Sequence, residues 1–385
     1  MRSFISNRML DLKPNPIREM TRLCQRVGGI NLGQGVCDLP TPPPIRQGAI
    51  KAIEDRKNVY SLPEGILDLR QVIAKKLLNE NGIRANPETE IVITVGSTGA
   101  YANTLLALFN PGDGILLFEP YYGYHVEIAH LVGLEPQYCA LKPPNFTVTE
   151  ELLSQSLQPN TKAIVICTPA NPSGKMFNEK ELGIIAKVAH EKDLLVITDE
   201  VYEYFRYDGR PHISPATIGN LWSRSITMMG LSKTFAITGW RIGYVVAPEH
   251  FSRLIRMAND LFYVCAPTPL QQGVADGFQL PPSFYEALQK DYQDKRDQIC
   301  SALRKVKMDP IVPQGAYYVL ADVSSYAFKD CFEAAMALLD KAKVAAIPGR
   351  AFYHSNAGDQ QLRFSFGLED HVLKEACKRI EGFRK

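Results

Sequence analysis

Residues 163–205 read AIVICTPANPSGKMFNEKELGIIAKVAHEKDLLVITDEVYEYF. The apolar runs AIVIC and LLVIT within this stretch are short and rich in β-branched residues, which is typical of strands buried on both faces. Between them, residues 179–192 place Leu182, Ile185 and Ala189 on one stripe with charged residues opposite, which predicts an amphipathic helix. A strand, a helix and a second strand in this order form the repeating unit of a parallel α/β sheet.

Other runs of the same kind extend this sheet in both directions along the chain. They are IVIT at 91–94, ILLF at 115–118, SITMM at 225–229 and GYVVA at 243–247. Because these runs alternate with stretches of helical period, the sequence predicts an α/β fold in which helices sandwich a mostly parallel sheet.

The pattern changes after about residue 275. A long polar helix is predicted at 284–306, and short strands and a further helix near 329–342 follow it. We therefore expect a large ligand-binding domain over residues 46–275 and a smaller α+β domain over residues 276–385.

The segment of residues 1–45 is rich in Gly and Pro and shows no clear period. A segment of this kind wraps a neighbouring unit more readily than it folds alone. We expect it to join the small domain.

Composition narrows the range of partners. The chain has 385 residues and is 45% hydrophobic, which suits two or three folding units. Its 43 basic and 41 acidic residues leave a formal charge of only +2, and no dense Lys/Arg run occurs. We expect small-molecule substrates, with no nucleic acid and no membrane as partners.

Cysteine usage and hydropathy indicate the compartment. The eight cysteines form no C-x-x-C pair and no closely spaced Cys/His group, so we expect a reducing environment and no metal site. The N-terminus lacks the apolar core of a signal peptide, and no run of eighteen apolar residues could span a membrane. We expect a cytoplasmic protein; a short mitochondrial presequence is the alternative.

Polar residues follow four of the predicted strands, where ligands bind in a parallel sheet. They are Gly96, Ser97 and Thr98 after the first strand, Asn171 after AIVIC, Asp199 and Tyr202 after LLVIT, and Ser232 and Lys233 after SITMM. Each has an ordinary structural interpretation, such as a helix cap, a turn residue or a surface lysine. Their equivalent positions and complementary chemistry favour a shared site.

The chemistry of this set matches that of a pyridine aldehyde phosphate. A buried lysine with a lowered pKa attacks carbonyl carbon and forms Schiff bases, and Lys233 is the candidate. Asp199 could keep a pyridine nitrogen protonated, while Tyr202 and Asn171 could hold a ring hydroxyl as its anion. The glycine-rich turn at 96–98 supplies backbone N–H groups for a phosphate. Ser232 adds a hydroxyl and Arg241 a bidentate charge, unless Arg241 serves only a structural salt bridge.

Seven ordered stretches carry a resemblance to a known family. They are NLGQG at 31–35, YSLPEGILDLR at 60–70, VGSTGA at 95–100, NPSGKMF at 171–177, DEVYEYF at 199–205, SKTFAITGWRIGY at 232–244 and LRFSFG at 362–367. With them the sequence resembles the class I/II aminotransferases of fold type I, which use pyridoxal 5′-phosphate (PLP), almost from end to end. The resemblance implies a seven-stranded, mostly parallel sheet in the large domain, with a small domain built from the N- and C-terminal parts.

The resemblance also implies a role for each site residue. Lys233 would be the Schiff-base lysine, and Asp199 would pair with the pyridine nitrogen. The ring hydroxyl would be bound by Asn171 and Tyr202, and the phosphate by Gly96, Ser97, Thr98, Ser232 and Arg241. Tyr122 matches the residue that stacks on the cofactor, although a core tyrosine is an equal alternative.

Substrate and subunit contacts follow from the same resemblance. Arg363, Gly35 and Asn171 match the residues that bind the substrate, with Arg363 on its α-carboxylate. Tyr60 matches a tyrosine that reaches the phosphate of the neighbouring subunit. A homodimer with shared active sites is therefore expected.

The reaction implied is a ping-pong transamination in which the Lys233 amine moves the Cα proton. NLGQG resembles members with aromatic or neutral donors, an aspartate-like donor remains open, and 2-oxoglutarate is the expected acceptor. Residues that could contact a substrate side chain are Tyr263, Tyr317, Tyr318, Phe352 and Tyr353, together with Arg253, Arg256 and Arg350 for a second carboxylate. The alternatives are a PLP-dependent C–S β-lyase on the same fold and a non-catalytic ligand-sensing module.

Overall fold

The computed structural model describes residues 4–10, 12, 16–37 and 39–384. The α-helices are α1 (Asn7–Leu10), α2 (Pro16–Arg26), α3 (Pro43–Glu54), α4 (Leu67–Lys76), α5 (Gly96–Leu108), α6 (Gly123–Leu131), α7 (Glu150–Ser156), α8 (Glu179–Glu191), α9 (Leu231–Thr234), α10 (Glu249–Tyr263), α11 (Thr268–Gly277), α12 (Pro282–Lys305), α13 (Cys331–Ala342) and α14 (Asp370–Glu381). The strands are β1 (Ile30–Asn31), β2 (Ile91–Val95), β3 (Gly114–Glu119), β4 (Glu135–Ala140), β5 (Thr161–Cys167), β6 (Leu195–Asp199), β7 (Ser225–Gly230), β8 (Ile242–Val246), β9 (Asp309–Ile311), β10 (Tyr318–Asp322), β11 (Val344–Ala345), β12 (Ile347–Pro348) and β13 (Gln361–Ser365).

Seven strands form the central sheet in the order β2-β8-β7-β6-β5-β3-β4. Strand β8 runs antiparallel to β2 and β7, and the other neighbouring strands of the sheet are parallel. The predicted α/β class and mostly parallel seven-stranded sheet are confirmed. Each of the six apolar runs forms one strand, and the helix predicted between AIVIC and LLVIT is α8.

Both faces of the sheet are covered, and strand β5 shows how. Ile164 and Ile166 pack into a core with the α8 residue Leu182, whereas Ala163 and Val165 pack into a second core on the opposite face. This alternation is the period of two of a β-strand. Because both faces must be apolar, the strand is hydrophobic throughout, and the polar residues that follow it are left at the edge of the sheet.

The C-terminal part of the chain forms an antiparallel sheet in the order β12-β13-β10-β9. Its core joins residues of α12, α13 and α14 with those of β10 and β13. The N-terminal segment reaches the same region, because β1 pairs in parallel with β11. The domain limits at residues 45 and 275 remain a prediction.

Helix α2 was not foreseen in the N-terminal segment. It buries Met20 and Cys24, which lie four residues apart on one face.

No helix among the described residues is long and apolar enough to cross a bilayer.

Two side chains of α13 test the C-terminal core. Leu338 is fully buried and Met336 is 44% exposed, although both lie on the same helix. Leu338→Ala should lower the free energy of unfolding by about 2–5 kcal/mol, because it leaves a cavity in a packed core. Met336→Ala should change it by less than about 1 kcal/mol. Urea unfolding followed by circular dichroism measures both, and equal losses would contradict this packing.

Candidate active site

A cavity lies at the carboxyl ends of β5, β6 and β7, bordered by residues of the N-terminal segment and of β10 and β13. Most of the residues predicted from the sequence line it: Gly35, Ser97, Thr98, Tyr122, Asn171, Asp199, Tyr202, Ser232, Lys233, Arg241 and Arg363. The sheet topology brings these residues together, since parallel strands end at a common edge.

Lys233 lies on α9, directly after β7, and its amine is turned towards the N-terminal segment. The Nζ atom donates a hydrogen bond of 3.0 Å to the Gly35 carbonyl and lies 5.6 Å from the ring centre of Tyr317. Burial lowers the pKa of Lys233 to about 8, with a smaller lowering from nearby Arg241. A lysine in this state supplies a neutral, nucleophilic amine near neutral pH.

Gly35 approaches the site so closely that a side chain would not fit. A Cβ atom added there would lie 1.8 Å from the Tyr318 hydroxyl. That hydroxyl forms a 2.9 Å hydrogen bond with the hydroxyl of Tyr202. Burial, followed by the effect of Tyr318, raises the pKa of Tyr202 well above its usual value, so both rings offer neutral hydroxyl groups to the cavity.

Asp199 ends β6 and is buried. Its Oδ2 atom lies 3.0 Å from Nε2 of His125, and Oδ1 accepts a 3.3 Å hydrogen bond from the backbone N–H of Val201. His125 was not predicted from the sequence. Its buried position on α6 reflects a tertiary contact across 74 residues, which no local pattern reveals.

An anion cradle lies at the N-terminus of α5. Gly96 does not line the cavity itself, but its φ of +67° is in the left-handed region, and an added Cβ would lie 2.4 Å from Nη2 of Arg241. Glycine therefore allows the guanidinium to approach the start of the helix, beside Ser97 and Thr98. Ser232 adds a hydroxyl to the lining of the same cavity. Helix N-termini with adjacent cations are suited to phosphate.

Arg363 projects from β13 and is fully buried, with 1% exposure. Its Nη1 donates 2.9 Å to Oδ1 of Asn171, and Nη2 donates 2.5 Å to the Gly33 carbonyl. Its Nε is buried and has no hydrogen-bond partner among the residues that the structure describes. A buried guanidinium with only neutral acceptors is suited to a carboxylate ligand.

The resemblance assigned two further tyrosines to the cofactor besides Tyr202, and these two differ in position. Tyr122 lines the cavity, and its ring meets His125 edge-on at 5.2 Å. Tyr60 is 80% exposed and does not line the cavity of its own chain. It lies on the surface of the chain.

None of the three arginines considered for a second carboxylate lines this cavity. Arg350 is held by Asp359 through two 2.6 Å hydrogen bonds, and Arg256 lies 3.6 Å from Glu64. Of the aromatic candidates, Tyr318 lines the cavity. Tyr317 lies beside it, with its hydroxyl 3.3 Å from the Gly35 carbonyl.

The remaining aromatic candidates lie further out. Phe352 and Tyr353 line an adjoining cavity, and Tyr263 is partly exposed at the end of α10. The two cavities share Ile17, Tyr122 and Tyr124 in their linings.

Several further residues of the cavity were not predicted. They are Ile17, Arg18, Gln34, Tyr124, Cys167, Val201 and Thr238. Gln34, Val201 and Thr238 lie within the quoted motifs and Cys167 ends the run AIVIC, so these four could have been inferred from the sequence. Arg18 lies on the unforeseen helix α2, so its presence at the site had no sequence signal.

Comparisons with known proteins all identify aminotransferases as the similar proteins. A family model described as aminotransferase class I and II matches residues 27–380. A protein of Aquifex aeolicus named "Probable aspartate/prephenate aminotransferase" is 33% identical, over 99% of this chain and 98% of its own. "Aromatic-amino-acid aminotransferase 2" of Thermococcus litoralis is 32% identical, over 98% and 97%. The solved N-succinyldiaminopimelate aminotransferase of Mycobacterium tuberculosis superposes with a TM-score of 0.95 at 32% identity, covering 99% of this chain and 100% of that one.

The lowered pKa of Lys233 predicts its chemical reactivity. Only a neutral amine reacts with acetic anhydride, so trace acetylation of Lys233, in protein stripped of bound aldehydes, should rise with pH through about 8 and then level off. Exposed Lys290, whose pKa its hydrogen bond to Asp294 raises, should still be gaining reactivity above pH 10. Peptide mass analysis measures both sites in one sample. Matching profiles would contradict the prediction.

Proposed function

The chain belongs to the class I and II aminotransferases, and we propose that it binds PLP on Lys233 and transfers the amino group of an L-amino acid to 2-oxoglutarate by a ping-pong mechanism. The enzyme class is the property of the family. The observation that carries the proposal is the convergence of Lys233, Asp199 and Arg363 on one cavity.

The cavity fits PLP at each of its groups. The cradle at Gly96, which a Cβ would fill, faces Arg241 and suits the phosphate. Asp199 is a buried carboxylate for the ring nitrogen, and Asn171 and Tyr202 suit the ring hydroxyl. When bound, PLP supplies an electron-withdrawing ring that stabilises negative charge at the substrate Cα.

In this proposal Lys233 is the group that moves the proton. With the cofactor and substrate bound, the free amine of Lys233 would take the proton from the substrate Cα and later return one. A pKa of about 8 in the free protein suits both directions, because neither the neutral nor the charged form is strongly disfavoured near neutral pH. The Gly35 carbonyl, 3.0 Å away, gives the free amine a defined resting place.

Arg363 and Asn171 position the substrate. The unpartnered Nε of Arg363 and a neighbouring Nη atom would donate a bidentate pair of hydrogen bonds to the α-carboxylate. Fixing the carboxylate orients the Cα–H bond relative to the amine of Lys233, which is a contribution of positioning. Donor and acceptor share this carboxylate, so one site serves both halves of a ping-pong reaction.

Two hydrogen-bonded pairs, His125 with Asp199 and Tyr318 with Tyr202, fix the orientation of the groups proposed to bind the cofactor. His125, at 3.0 Å from Oδ2, fixes the orientation of the Asp199 carboxylate, which would pair with the ring nitrogen of bound PLP. The hydroxyl of Tyr318, at 2.9 Å, orients that of Tyr202 towards the cofactor. Both pairs fix the direction of a polar group in an enclosed site, where electrostatic interactions are strong.

The identity of the amino donor is the least restricted part of the proposed function. The relatives are named for aspartate/prephenate, aromatic and N-succinyldiaminopimelate substrates, so family membership alone does not select one. Tyr122, Tyr124 and Tyr318 line the cavity and could pack on a large side chain. We propose an aromatic, neutral or aspartate-like donor.

Lys233→Ala tests the function directly. Turnover of a donor with 2-oxoglutarate should fall by at least roughly 1000-fold, because the variant loses both the covalent attachment and the proton carrier. Exposed Lys290→Ala is the matched control and should keep full activity. The visible spectrum of the unchanged protein should show a yellow band that a donor bleaches and 2-oxoglutarate restores.

Appreciable turnover by Lys233→Ala would refute the assignment of this lysine. A yellow band that persists while pyruvate and ammonia accumulate from a β-substituted amino acid would indicate a C–S β-lyase. A colourless protein that takes up no PLP would refute the whole proposal.

We also propose a homodimer in which Tyr60 completes the partner's site. Tyr60 belongs to an exposed apolar surface that includes Val59, Leu62, Leu261 and Phe262, each more than 60% exposed. The two parts of this surface are joined, since Asn259 donates 2.8 Å to the Pro63 carbonyl. Contiguous apolar surfaces of this kind are typical of protein interfaces.

Hybrid dimers test the shared site. Tyr60→Phe removes only a hydroxyl and should weaken PLP binding by roughly 10-fold through loss of a charge-assisted hydrogen bond. Lys233→Ala is inactive, yet a hybrid of the two variants contains one site with both residues intact. Differently tagged subunits, co-expressed and purified as the hybrid, should recover about half of the unchanged dimer's activity per dimer at limiting PLP, as one site of the two is intact. No recovery, or a monomer in sedimentation, would refute the proposal.

A further inference from the structure

Two buried carboxylates lie in the segment that follows β6, and the proposed chemistry uses neither of them. Glu200 and Glu203 are 0% and 8% exposed, and they do not line the candidate active site. Their sequence neighbours Asp199, Val201 and Tyr202 do line it. Because a buried charge is costly unless it is paired, contacts outside the cavity must hold these two acids.

Glu200 is held by three donors at the start of the segment. Its Oε1 atom accepts hydrogen bonds of 2.7 and 3.0 Å from the hydroxyls of Thr198 and Ser214, and its Oε2 atom lies 2.7 Å from Nε2 of His212. Its backbone N–H donates 2.9 Å to the Met228 carbonyl in β7. The start of the segment is therefore fixed to the central sheet.

Glu203 is held by a lysine from a helix that is distant in sequence. The Nζ atom of Lys76, the last residue of α4, donates to both carboxylate oxygens of Glu203. Asn81 Nδ2 donates a further 2.9 Å hydrogen bond to Oε2. Burial alone would raise the pKa of Glu203, but the charges of Lys76 and His212 and the Asn81 hydrogen bond hold this pKa below its usual value. The group is therefore an anion in a buried ion pair.

The two acids determine how the backbone between them runs. The N–H of Glu203 donates 3.0 Å to the Glu200 carbonyl, which closes a turn. Tyr202 directly precedes Glu203, so a shift of Glu203 would move the tyrosine. With the start of the turn fixed at Glu200, the direction of Tyr202 depends on the contact that Glu203 makes.

The same contacts reach the elements that carry Lys233. The Nζ atom of Lys76 lies 3.7 Å from Sδ of Met229 in β7. A Cβ atom added at Gly230, the residue before α9, would lie 2.9 Å from Cγ1 of Val201. The ion pair thus contacts the strand before Lys233 as well as the segment after β6.

We propose that Lys76 and Glu203 are positioning residues for the proposed reaction, and that their buried ion pair sets the direction in which Tyr202 presents its hydroxyl to the cavity. This inference rests on the proposed function and adds to it two residues that lie outside the cavity. A charge-assisted pair of hydrogen bonds is directional, whereas apolar packing is not. The pair therefore specifies one arrangement of the segment, a role that buried ion pairs have in some proteins.

Two variants separate positioning from stability. In Lys76→Met the buried charge of Glu203 loses its partner, so the free energy of unfolding should fall, and PLP should bind roughly 10-fold more weakly because one hydrogen bond is misaligned. In the double variant Lys76→Met/Glu203→Leu no charge is left unpaired, so stability should return to that of the unchanged protein. PLP binding should nevertheless stay roughly 10-fold weaker, because the directional contact is absent.

Three measurements decide between these roles. Titration of the stripped protein with PLP, followed by the visible spectrum, gives the dissociation constant, and urea unfolding gives the stability. The pH midpoint of the visible band should shift by at least about half a pH unit in both variants, since Tyr202 influences the charge on the ring hydroxyl. The matched control is Lys75→Met, at the exposed residue that precedes Lys76 on α4, and it should match the unchanged protein throughout.

A double variant that recovers PLP affinity together with stability would overturn the inference, since the pair would then serve stability alone. PLP affinity and a pH midpoint equal to those of the unchanged protein in Lys76→Met would overturn it as well. Both outcomes leave the proposed function standing. If Lys76→Met does not fold, the double variant decides alone. Failure of the unchanged protein to take up PLP would refute the proposed function and the inference together.

Discussion

The buried charge of Arg363 is the constraint on which the rest of the site depends. A guanidinium out of water is costly unless it is paired, and here its described hydrogen-bond acceptors are the neutral oxygens of Asn171 and Gly33. The rings of Tyr318 and Phe352, at 4.4 and 4.7 Å from its central carbon, add cation–π stabilisation. These partners come from the loop after β5, the N-terminal segment and the C-terminal sheet. Three separate parts of the chain that border the cavity therefore hold this one charge.

The antiparallel direction of β8 determines where Arg241 lies. Because β8 runs opposite to β7, its first residues lie at the edge of the sheet where β7 ends. Arg241, directly before β8, is thereby brought to the start of α5 without a crossover helix. The close pass of Gly243 against the backbone of Gly96 and Ser97, where an added Cβ would lie 2.7 Å away, keeps these segments in contact. A reversal of direction within an otherwise parallel sheet thus brings the cation to its anion cradle.

The sequence predicted best those strands whose local hydrophobic pattern matches their burial in the structure. Strands buried on both faces are continuously apolar, so β5 and β6 and the polar residues at their ends could be predicted. Edge strand β4 has the sequence EPQYCA and a mixed burial pattern, which gives no such signal. His125 and Arg18 could not be predicted, because their positions depend on how distant elements pack. The roles of Tyr60 and Arg363 came only from family resemblance, since a single arginine or tyrosine has no period to reveal it.

The pairing of β1 with β11 has a consequence for how the protein is made. Ile30 and Asn31 find their strand partners only at Val344 and Ala345, and Arg363 follows them. A chain growing on the ribosome contains Lys233 and Asp199 well before it contains Arg363 or β11, the strand that pairs with β1. All seven strands of the central sheet therefore emerge before the segments that pair with the N-terminal strand and bring Arg363 to the cavity.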